Sequence, residues 1–70
     1  MLSFNVKKSG NVIQIYCDDA GISRLIDVLN RLRISGHIHL RSPPGGKDLS
    51  ATSPFGEKAV EEVIITHGGD

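Results

Sequence analysis

Gly36-His37-Ile38-His39-Leu40 is the stretch on which the reading of this chain turns. Side chains alternate across a strand, so His37 and His39 share one face while Ile38 and Leu40 share the other. The pattern predicts a strand from Gly36 to Arg41, with an apolar side turned to a core and two imidazoles on the opposite side. Two histidines at this spacing suit half a metal site, a recognition patch, or the solvated face of a half-buried strand. All three readings stay open at this level.

Working upstream, Ile22, Leu25, Ile26, Leu29 and Leu32 recur at three- and four-residue steps, the spacing of one apolar stripe on a helix. Arg24, Asp27, Asn30 and Arg31 fall on its polar side, with Arg31 four residues after Asp27. Asp18-Asp19 supplies carboxylates that cap a helix start, and Gly36 is the residue type that ends one. Before the helix, Leu2, Phe4 and Val6 alternate with polar neighbours, and Ile13, Ile15 and Cys17 alternate with Gln14 and Tyr16. Lys8-Ser9-Gly10-Asn11 joins these two runs as a turn. An N-terminal hairpin follows, with Leu2, Phe4, Val6, Ile13, Ile15 and Cys17 turned inward.

Downstream, Ser42-Pro43-Pro44-Gly45-Gly46-Lys47 cannot continue a sheet, because prolines remove ladder donors and glycines loosen the backbone. An irregular stretch runs from Ser42 to about Glu57, with Leu49 and Phe55 as its expected anchors on the core. Lys58 to His67 reads as the last strand, Val63 and Ile65 on one face and Glu62, Ile64 and Thr66 on the other. Gly68-Gly69-Asp70 is expected to fray. The order is β-β-α-β-β in a single domain, residues 1–70. It predicts an α+β two-layer sandwich, one helix packed on a mostly antiparallel four-stranded sheet. Gln14, Tyr16, His37, His39, Glu62, Ile64 and Thr66 would then line the uncovered face.

Composition narrows the function classes. A chain of 70 residues has a small core and gains from a second copy or a partner. Eight basic residues balance eight acidic ones, so the excess positive charge that binds phosphate backbones is missing and nucleic acid is disfavoured. No apolar run approaches the ~20 residues needed to cross a bilayer, so no membrane is expected as partner. One cysteine, Cys17, and an N-terminus without the blocks of a signal peptide suggest the cytoplasm.

Candidate chemistry is sparse. His37 and His39, with His67 from the neighbouring strand, are the only metal-ligand candidates, and no CxxC or HExxH accompanies them. Cys17 lies on an apolar alternation and reads as core filling rather than as a nucleophile. Pro44-Gly45-Gly46-Lys47 lacks the spacing of a phosphate loop. Glu61 and Glu62 point to opposite faces and form no dyad. No catalytic set emerges, no cofactor is implied, and the chain is read as a non-enzyme.

The segment from Gly36 onward carries a longer pattern: Gly36-His37-Ile38-His39-Leu40, a Ser-Pro turn, Gly45-Gly46, Asp48-Leu49-Ser50, and a closing Val63-Ile64-Ile65 strand. With the strand, acidic turn and apolar helix before it, this resembles the small immunity proteins of bacterial polymorphic toxin systems, the group numbered thirty-two among immunity families. Pro43-Pro44 departs from that pattern, which has a bulkier residue before the glycines. The resemblance implies a cytoplasmic, non-enzymatic binding module that neutralises a cognate protein toxin by occluding it. Its expected contact surface comprises Tyr16, His37, His39, Arg41, Pro43, Pro44, Gly45, Gly46, Lys47 and Asp48. The same face can instead hold a homodimer together, and a metal-binding domain built on the His-x-His pair is the remaining alternative.

Overall fold

A computed structural model describes residues 1–56 and 58–68. Strand β1 spans Leu2–Val6 and β2 spans Ile13–Cys17, paired antiparallel with Phe4 opposite Ile15. The turn between them is closed by the Lys7 N–H donating to the Val12 carbonyl (2.9 Å), and Gly10 takes φ 77° there. Helix α1 spans Asp19–Ser35. Its N-cap is Asp18, whose carboxylate accepts from the Gly21 N–H at 2.8 Å. Gly36, at φ 84°, ends it and donates its N–H to the Leu32 carbonyl. Strand β3 (His37–Arg41) pairs antiparallel with β4 (Glu62–Thr66), bringing His39 opposite Ile64 and Arg41 opposite Glu62. The element order is therefore as expected, with the third and last strands shorter than their sequence limits.

The sheet departs from expectation. The four strands form two two-stranded antiparallel sheets, β1-β2 and β3-β4, rather than one four-stranded layer. The reason lies along the second edge of β1. Its Leu2 carbonyl accepts from Ser50 N–H and its Phe4 carbonyl from Val60 N–H, both at 2.7 Å. Those partners belong to the irregular stretch between β3 and β4 and lie on either side of Pro54, which has no N–H for a ladder. Single hydrogen bonds thus satisfy an edge that a strand was expected to cover.

One core serves both sheets. Leu2 and Phe4 from β1, Val28 from α1, Leu40 from β3 and Leu49 from the loop are buried together. Cys17, Ile38, Val60, Val63 and Ile65 pack around them. α1 contacts β1, β2 and β3, and its inward residues are Gly21, Val28 and Leu32, with Leu25 half-buried. Gly21 permits this rotation, since a Cβ there would stand 2.0 Å from the Met1 carbonyl oxygen. The expected stripe is therefore displaced, and Ile22, Ile26 and Leu29 are exposed. Ile13, Ile15 and Val6, expected inward, are also exposed, because the core centres on β1 and β3 and leaves the far side of β2 uncovered.

The other face of β1-β2 is covered rather than open. Ser3 and Asn5 are fully buried. The Asn5 amide donates to Gln14 Oε1 (3.3 Å) and accepts from Ser53 Oγ (3.4 Å). Leu49 anchors the loop as expected, whereas Phe55 stays exposed while touching Tyr16 edge-on. Glu57, the expected end of the loop, and Gly69 and Asp70 of the Gly68-Gly69-Asp70 tail expected to fray lie outside the described residues.

Candidate functional site

Alternation along β3 places Ile38 and the buried Leu40 against the core and turns His37, His39 and Arg41 outward, all three exposed. Across the ladder, Thr66, Ile64 and Glu62 stand opposite them on the same face. Glu62 organises this face. Its Oε2 receives Arg41 Nε at 2.7 Å and lies 2.9 Å from His39 Nδ1. The Arg41 guanidinium first, and His39 second, hold the Glu62 carboxyl below its ordinary value. The His37 and His39 rings meet edge-on with centroids 5.3 Å apart. Ile64, exposed across from His39, gives the ladder an apolar centre.

Beyond Arg41 the chain turns back on itself. The Arg41 carbonyl accepts from both Asp48 N–H (3.1 Å) and Leu49 N–H (3.2 Å), and Gly46 N–H donates to Ser42 O. Gly46 runs so close to β3 that a Cβ on it would lie 3.0 Å from the Arg41 carbonyl oxygen. The Pro43-Pro44 peptide is cis. A shallow groove lies between this turn and β4, lined by Arg41, Ser42, Pro43, Pro44, Gly45, Glu61 and Glu62. The stretch from Ser42 to Asp48 is therefore a tethered turn continuous with the histidine face.

Of the residues expected at the contact surface, His37, His39, Arg41, Pro43, Pro44 and Gly45 lie together on this face and the adjoining groove. Lys47 is exposed nearby on the turn. Asp48 is half-buried and committed to Arg24 of α1 through an ion pair, so it pins the turn. Tyr16 sits on the other sheet, its ring against Phe55 (6.1 Å between centroids). Glu62 and Ile64 belong to the site although the expected contact set omits them. Their parity with Thr66 signals the face, but only the register places Glu62 beside Arg41.

His67 follows β4 with its N–H on the Gly36 carbonyl at 2.8 Å, on the parity of Val63 and Ile65 rather than of the outward ladder. Among the described residues, no three His, Cys, Asp or Glu side chains converge as a metal-binding group. No helix of the described chain is long and apolar enough to cross a membrane. No family model matches this sequence, and neither a curated protein nor a solved structure shows significant similarity to it.

Proposed function

We propose that this chain is a non-enzymatic protein-binding module of the toxin-neutralising immunity type, working in the cytoplasm. Its contact surface is the outer face of β3-β4 with the adjoining proline turn. The observation that carries this reading is the uncovered ladder of His37, His39 and Arg41 opposite Thr66, Ile64 and Glu62. It combines an exposed isoleucine, two imidazole rings and an arginine, the last a residue type that anchors protein interfaces. Glu62 fixes the His39 and Arg41 side chains before a partner arrives, which lowers the ordering cost of binding. The groove beside Pro43 and Pro44 accepts a protruding side chain from the partner. Occlusion needs shape and charge alone, and nothing in this arrangement requires a reacting group.

The test uses the intact chain as bait in an extract of its source cell, beside an Ile64→Glu variant. The captured protein is then expressed alone, with the wild type, and with the variant. Binding and rescue of growth by the wild type, both lost with Ile64→Glu, support the reading. Equal capture by both baits, or capture without protection, overturns it.

A further inference from the structure

The side of the molecule away from the histidine face carries a second surface. Ile22, Ile26 and Leu29 form an exposed stripe along α1, 44%, 56% and 46% exposed. Ile13 and Ile15 of β2, 66% and 48% exposed, lie on the helix-side face of their sheet, since Ile15 pairs with the core residue Phe4. Arg24, on the opposite flank of α1, reaches Asp48 beside β3. The apolar flank therefore faces the outer edge of β2, where helix stripe and strand meet as wall and floor. Among the described residues, the backbone of Ile13–Cys17 bonds to no segment but β1 along its length, so that edge is open.

We propose that a second copy of this chain docks here about a two-fold axis, β2 against β2 and α1 against α1. The stripe itself argues for this occupant. Asp19, Ile22, Ile26, Leu29 and Arg33 follow one another at three- and four-residue steps, with the acidic residue in the first turn and the basic one in the last. Turned antiparallel about Ile26, the stripe meets its own image with Ile22 against Leu29 and Asp19 against Arg33, twice over. Neither Asp19 nor Arg33 has an ion-pair partner among the described residues. Ile15 is the midpoint of β2 and Ile26 lies next to the midpoint of α1, so one axis serves both contacts. Strands ~4.8 Å apart and helices 8–10 Å apart are compatible when α1 lies over the β1-β2 pair. Covering these five side chains removes roughly 900 Å² in a pair, and the strand edges carry the total past the ~1,000 Å² of a specific interface. The zero net charge puts no long-range repulsion between copies.

Sedimentation equilibrium of the intact chain tests this, with 7.5 kDa expected for one copy and twice that for the dimer. Ile26→Lys is expected to keep its circular dichroism, because Ile26 is exposed in one copy, and to weaken the dimer on the order of 100-fold. Asp19→Arg and Arg33→Asp are each expected to weaken self-association alone. Mixed in equal amounts, they restore a dimer, since each mutant end then faces its opposite charge. A wild type that stays monomeric at ~0.5 mM overturns the proposal. So does a dimer indifferent to Ile26→Lys, or a mixture no stronger than its components. His39→Ala leaves the mass unchanged, which separates this surface from the histidine face.

Discussion

His39 and Leu40 are neighbours on β3, and the fold assigns them opposite environments: Leu40 is 1% exposed in the shared core, while His39 is exposed. Leu40→Ala removes buried methyl groups and leaves a cavity among Leu2, Phe4, Val28 and Leu49, at a cost of about 3 kcal/mol, within the range of buried leucine truncations. A domain of this size holds roughly 4–10 kcal/mol in total. The substitution therefore takes a third or more of the stability. With a urea slope of ~1 kcal/mol/M, the midpoint falls by about 3 M. His39→Ala gives up a solvent-exposed contact with Glu62 and moves the midpoint by less than ~0.5 M. Urea titration followed by circular dichroism on both variants measures the difference directly. Comparable destabilisation by the two would falsify the assignment of faces on β3, and with it the contact surface.

Other substitutions read other parts of the structure. Gly21→Ala should lower thermal stability by ~1–3 kcal/mol although alanine favours helices, because its Cβ would strike the Met1 carbonyl; a rise in melting temperature refutes that close approach. Ser3→Ala should be neutral or stabilising by up to ~1 kcal/mol, since the buried Ser3 hydroxyl has no hydrogen-bond partner among the described residues; a clear loss in calorimetry points to a missed partner. Glu62 titrates below its ordinary 4.5 because Arg41 and His39 favour its charged form. A carboxylate depressed in the folded state contributes stability above its unfolded value and loses it as pH falls through the folded one. The Glu62 carbon resonance should thus titrate with a midpoint under 4.5 and return toward that value in Arg41→Ala, and an unchanged midpoint in the variant contradicts the pairing.

Local patterns carried much of the structure. Alternation in Leu2–Val6 and His37–Arg41 is a two-residue period that any strand must express, so the outward pair His37 and His39 was legible before the fold. Asp18 and Gly36 marked the helix ends because their hydrogen bonding and φ are local properties. The rotation of α1 was not legible. Its apolar residues cover a wide arc, and either Ile22-Ile26-Leu29 or Leu25-Val28-Leu32 satisfies the same period. Tertiary packing put the second against the core, and the missing Cβ of Gly21 admits the Met1 carbonyl there.

Nor did the sequence reveal how the edge of β1 is closed, or that Asp48 serves α1 while Glu62 serves Arg41. Each of these is a pairing across a long loop, and no periodicity encodes which carbonyl meets which N–H over such a span. The chain by itself determined its elements, the ends of the helix and the outward histidines, all products of short-range sterics and hydrogen bonding. Tertiary packing alone decided that two ribbons share one core, which flank of the helix meets water, and which carboxylate holds the site.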